Sequence, residues 1–173
     1  MERGMGSILT VMDGEEMATA DRIRMDDLLT RYASAIDRRD WALLDTVFTG
    51  DAHLDYRTAG GLEGGYPEVR RWLVEVLPIF DVTQHLVVNR EFEDGGDGGA
   101  RARSCFLNVN RLKVEGKPWQ FTVGGQYHDR LVRTADGWRI ADRIEYTLWW
   151  DNPMPGLPEA PYTVPDLPGP GTA

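Results

Sequence analysis

Everything from Thr83 to Trp150 is written in one pattern: long β-type runs broken by short turn-forming strings. Runs at about 83–92, 100–114, 119–134 and 138–150 are separated by "EDGGDGG", "EGKP" and "ADG". Glycine and aspartate tolerate the backbone of tight hairpin turns. Strands joined by such short links lie side by side and antiparallel. The second half of the chain is therefore predicted to be an antiparallel meander, and the first half must supply what the sheet packs against.

That first half reads as helices. Ile23, Leu28, Leu29, Tyr32, Ala33 and Ile36 recur at helical spacing after Asp21, which predicts a helix ending near Asp37. Asp40 is suited to cap a second helix, Trp41 to Phe48, with Leu44, Val47 and Phe48 inward. "DAHLDYRT" alternates, with Ala52, Leu54 and Tyr56 on one face, and reads as an early strand. "GGLEGG" reads as a loop. Pro67 then opens a third helix whose buried stripe is Val69, Trp72, Leu73 and Val76. Three helices, an early strand and a curved antiparallel sheet make an α+β domain over residues 19–152, with a pocket expected on the concave side of the sheet. Residues 1–18 have no period and read as a flexible leader. Residues 153–173 hold seven of the ten prolines, which excludes helix and central strand there.

Charge and cysteine content narrow the function classes. Nineteen basic residues stand against 28 acidic ones, net −9, which disfavours nucleic acid or an anionic membrane surface as partner. A single cysteine, Cys105, excludes an internal disulfide and a Cys-rich metal site. No run approaches the ~18 apolar residues of a membrane span. The opening residues are too weakly basic and their apolar patch too short for a secretory signal. The cytoplasm is the expected location.

Of the three histidines, His53 and His128 fall on polar strand faces and are expected at the surface. His85, in "DVTQHLVVNREF", shares a face with Thr83, Val87 and Asn89 and has apolar flanks. A core histidine satisfied by backbone groups would show the same pattern. No H-x-x-x-H spacing accompanies it, so no metal site is expected, and "GGDGG" lacks the following helix that a phosphate loop needs. An inward imidazole suits proton transfer if a second group sets its tautomer. Asp37 is the candidate for that group. Asp40 is able to cap the second helix alone, which leaves Asp37 either free to point inward or bonded locally in the "DRRD" turn. Tyr56 faces inward with Leu54, and its phenol serves either a backbone carbonyl or a ligand.

"YASAIDRRDWALLDTVFTGDAHLDY", "TQHLVVN" and "GGQYHDRLVRTADGWRIADR" together resemble the SnoaL-like branch of the nuclear transport factor 2-like superfamily, over about Asp21 to Trp150. The resemblance implies a cone-shaped fold, a curved antiparallel sheet wrapped around three N-terminal helices. Within that branch, "DRRDWALLDTVFTGDAHLDYRT" is similar to scytalone dehydratase-like enzymes, in which an Asp–His pair moves protons while tyrosines hold a water and the substrate carbonyl. The similarity places the aspartate at Asp37, the histidine at His85 and one tyrosine at Tyr56. The family's tyrosine before the aspartate is Ile36 here, its second histidine falls at Asn110, and its strand-4 asparagine falls near Tyr127. Asn110 and Tyr127 are thus candidate substrate contacts, and Trp72, Phe106 and Trp149 are candidates for an aromatic wall.

The activity implied is dehydration without a cofactor, alone or coupled to ring closure, beside a carbonyl of an aromatic polyketide-like molecule. Aldol cyclisation of polyketides is a second role found on this fold. The non-catalytic β subunit of ring-hydroxylating dioxygenases is a third, and sequestration of a hydrophobic metabolite is a fourth. Family members assemble as dimers to tetramers, so a homo-oligomer is expected.

Overall fold

The computed structural model describes residues 9–96 and 98–154. Residues 1–8 of the expected leader and 155–173 of the expected Pro-rich tail lie outside the described residues. Helix α1 (Leu9–Arg38) begins at Leu9 rather than Asp21. Glu, Met and Ala at 15–20 favour helix by propensity without offering an apolar period, so the helix outruns the pattern that reveals it. Leu28, Leu29, Tyr32 and Ile36 of α1 are buried against the sheet. Each buried leucine contributes about 1.5–3 kcal/mol of hydrophobic stabilisation.

The end of α1 is locked by an unusual residue. The Arg39 N–H donates to the Ile36 carbonyl at 3.1 Å and the Asp40 N–H to the Ala35 carbonyl at 2.9 Å. Arg39 lies at φ 55°, where glycine is the usual occupant of such a helix stop. Its guanidinium donates to the carbonyls of Leu77 (3.1 Å) and Phe80 (2.8 Å). The strained residue thus clamps the end of α1 to the start of the strand that carries His85.

Helix α2 (Trp41–Leu44) is one turn, capped by Asp40, whose carboxylate accepts from the Leu43 N–H at 2.9 Å. Phe48 opens strand β1 (Phe48–Asp55) instead of closing α2, and both Val47 and Phe48 are buried. The expected "GGLEGG" loop contains a short strand, β2 (Glu63–Gly65), paired with β1. Helix α3 (Tyr66–Val76) carries Pro67 in its first turn and buries Val69 and Leu73, with Trp72 and Val76 half-buried.

Strands β3 (Phe80–Gly96), β4 (Gly99–Val114), β5 (Lys117–Thr134) and β6 (Gly137–Asp151) form the antiparallel meander. The sheet order is β2-β1-β6-β5-β4-β3. One junction departs from the antiparallel expectation: β1 joins β6 in parallel. The meander alone sets the direction of β6, because α3 and four strands, β2 to β5, lie between β1 and β6 in the chain. The sheet is curved and unclosed, α1 lies across its concave side, and β3 is left as a free edge. Among the described residues, no helix is long and apolar enough to cross a membrane.

Candidate active site

An edge strand has N–H groups with no strand to receive them. Asp37, in the last turn of α1, receives one on β3. Its Oδ2 accepts from the His85 backbone N–H at 2.9 Å, and its Oδ1 lies 2.6 Å from His85 Nδ1. A carboxylate only accepts, so Nδ1 carries a proton, and in the neutral ring the lone pair is on Nε2. The His85 side chain is 6% exposed and that of Asp37 23%, which puts the pair at the border between solvent and interior.

His85 lines a chamber of about 190 Å³. The register sets His85, Asn108, Val123 and Trp150 opposite one another across β3, β4, β5 and β6, and all four line this chamber. Trp150 Nε1 and Asn108 Oδ1 are buried and have no hydrogen-bond partner among the described residues. A donor and an acceptor therefore stand at the wall in the same row as the imidazole.

Three phenols form the inner end. The hydroxyls of Tyr32 and Tyr56 are 3.2 Å apart. The Tyr32 ring is edge-on to Tyr127 at 5.6 Å and to His85 at 6.3 Å, so it spans the space between the two. Burial pushes all three phenols above their ordinary range, Tyr56 and Tyr127 far above it, and keeps them as donors. Behind them Arg143 is wholly buried, its Nε and Nη2 each 2.7 Å from an oxygen of Asp129. The guanidinium carbon lies 4.0 Å from the Tyr32 ring centre and 4.2 Å from that of Tyr127. Burial also raises the Glu145 carboxyl, to about 8, against the lowering effects of Arg143 and of a hydrogen bond from Thr147.

The sequence pattern of the SnoaL-like domain matches residues 17–144. The chain belongs to the SnoaL-like family. Uncharacterized proteins of Mycobacterium tuberculosis and Mycobacterium bovis are 40% identical to it over 139 residues, 78% of this chain and 92% of theirs. Among solved structures, a scytalone dehydratase-like protein of Novosphingobium aromaticivorans superposes with a TM-score of 0.74 at 18% identity, covering 84% of this chain and 95% of that one. The structure of LinA gives 0.69 at 23% identity, with 87% and 99% covered. These likenesses show a shared fold, a curved and unclosed sheet packed on helices.

Within this SnoaL-like chain, the structure brings most of the expected site together. Asp37 meets His85, and Tyr56, Tyr127, Asn110 and Trp72 line the chamber with His85, while Asp37 stands behind the imidazole. Two expectations are corrected. Phe106 lies on the concave side but is buried beneath Tyr127, stacked at 4.5 Å, and does not reach the chamber. Trp149 is 45% exposed and packs against Gly124, and Trp150 lines the chamber in its place. The cause is a bulge: Gly125 pairs with Thr147 but Gly124 pairs with Trp149, so Leu148 is an extra residue that reverses the alternation. His53 is exposed as expected. His128 is instead half-buried against Tyr146, and burial lowers its titration.

The sequence reading missed Tyr32, Asn108, Trp150, Arg143 and Glu145. A second bulge explains the last two. Leu131 pairs with Ile140 and Arg130 with Asp142, so Ala141 is extra and the inward side of β6 passes from Ile140 to Arg143, Glu145 and Thr147. Polar residues in alternation imitate a solvent face. The one available sign was Tyr32, which sits on the apolar stripe of α1 four residues before Ile36.

Proposed function

We propose that the protein is a dehydratase that works by proton transfer, without a cofactor, beside the carbonyl of a small aromatic polyketide-like molecule. The observation that carries this reading is the double hold of Asp37 on His85, which fixes the ring on the chamber wall and leaves Nε2 as its unheld nitrogen. A ring so held removes a proton from carbon next to a carbonyl, and Tyr56 and Tyr127 donate to the oxygen on which charge develops. Trp72, Phe121 and Trp150 supply flat walls. The chamber, about 190 Å³, is somewhat larger than the ~150 Å³ cavity that takes one benzene ring, which favours substrates of one or two fused rings.

Structural neighbours support elimination chemistry. They include a scytalone dehydratase-like protein at 18% identity and a hexachlorocyclohexane dehydrochlorinase at 19% identity. Aldol cyclisation would use the same base and differs in its product. A purely structural subunit would have no use for the Asp37–His85 pair. Val82, Leu86 and Val88, exposed along β3, support a homo-oligomer.

The test uses 3-hydroxy-1-tetralone, a bicyclic β-hydroxyketone whose dehydration yields fluorescent 1-naphthol. Wild-type protein converts it, and His85→Ala is expected to be slower by about 10²–10⁴-fold, the usual contribution of a positioned acid/base. A His85→Ala protein working at the wild-type rate ends the assignment.

A further inference from the structure

Dehydration needs an acid as well as a base, because hydroxide is a poor leaving group. The proposed roles of His85 and the phenols leave that task open. Glu145 lines the same chamber, is 7% exposed, and is register-paired with Tyr127 on β5. Arg143 and Thr147 act on it from its own strand, Asp55 from β1, and the Tyr32, Tyr56 and Tyr127 phenols share its surroundings from α1, the end of β1 and β5. The only cation among these is directed elsewhere: Nε and Nη2 of Arg143 go to Asp129, its faces are covered by Tyr32 and Tyr127, and its buried Nη1 makes no hydrogen bond to Glu145 or to any other described residue. Among the described residues Glu145 has no ion-pair partner within salt-bridge distance. A buried carboxyl without a counter-ion retains its proton.

We propose that Glu145 is a second catalytic residue of the chamber, a neutral carboxylic acid that protonates the departing oxygen of the substrate. This rests on the dehydratase reading and divides its labour between two walls, since β4 and β5 separate β6 from the strand of His85. His85 Nε2 takes the proton from carbon beside the carbonyl. The C–H electron pair becomes the new C=C bond as the C–O bond breaks, and hydroxide leaves with the Glu145 proton as water. The proton on His85 then returns to the Glu145 carboxylate through solvent. The phenols are poorer donors for this step, because burial moves them away from neutrality while it moves the carboxyl toward it.

Three measurements test the assignment: turnover of 3-hydroxy-1-tetralone, binding of 1-naphthol by quenching of tryptophan fluorescence, and the infrared band of a protonated carboxyl. Glu145→Gln, which keeps the shape but has no acidic proton, is expected to lose roughly 10²–10⁴-fold in kcat with 1-naphthol binding unchanged. Glu145→Asp is expected to recover part of the rate. In wild type, kcat/KM should fall as pH rises through about 8, where the acid loses its proton, and Glu145→Gln should lack that limb. The infrared band should be present at pH 7 and absent in Glu145→Gln. Wild-type rate and an unchanged alkaline limb in Glu145→Gln, with His85→Ala inactive, overturn the acid role and leave the dehydratase reading standing. An infrared spectrum at pH 7 identical in wild type and Glu145→Gln also overturns the role. Wild-type protein that binds 1-naphthol but leaves the tetralone intact overturns both.

Discussion

Two carboxyl groups belong to one chamber in opposite surroundings, Asp37 through His85 and Glu145 on the wall itself. Asp37 sits at the sheet edge with two N–H donors from His85 turned toward it. Glu145 sits on the inner wall, where the nearest guanidinium is held by Asp129. The first is built to accept hydrogen bonds and the second to keep a proton. The difference arises from which donors remain free, since burial acts on a carboxyl only as strongly as its partners allow.

The comparison breaks most visibly at its edge half. Asp37→Asn turns one acceptor into an amide donor facing the N–H groups of His85, so the ring loses its fixed tautomer. A fall in kcat of about 10²–10⁴-fold is expected, read on the tetralone, with the fold retained by circular dichroism. The inner half depends on the Asp129–Arg143 pair. Asp129→Asn leaves a wholly buried guanidinium without its counter-charge and should lower stability by about 3–5 kcal/mol in urea unfolding.

Glu145 gives a smaller, pH-dependent effect whose sign follows from its raised value. Unfolded, the carboxyl titrates near 4.5, and folded it titrates at about 8. Its stabilising contribution is present in full below 4.5, declines as pH rises, and is gone above about 8. Unfolding free energies across this range should fall by a few kcal/mol in wild type, and Glu145→Gln should flatten the decline. The smallest contrast separates adjacent tryptophans. Trp150→Ala should weaken 1-naphthol binding and Trp149→Ala should leave it unchanged, as measured by competitive titration; equal effects would contradict the Leu148 bulge.

The meander, the capping Asp40 and the apolar stripe of α1 were legible because local rules govern them: turn residues, caps and helical period. The Asp37–His85 pair was legible through residue type and family resemblance, although 48 positions separate the two in sequence. The inner wall was not legible. Arg143, Glu145 and Thr147 carry the composition of a solvent face, and nothing local marks Ala141 or Leu148 as extra residues.

By itself, then, the sequence determined most of the helix and strand segments and named Asp37 and His85 as candidate partners. Those choices depend on neighbours a few residues away or on side-chain chemistry that is unaltered by folding. Only the tertiary structure decided which tryptophan lines the chamber and which carboxyl is left without a cation. Both follow from strand register and from the engagement of Arg143 by Asp129, which exist only once β5 and β6 have paired.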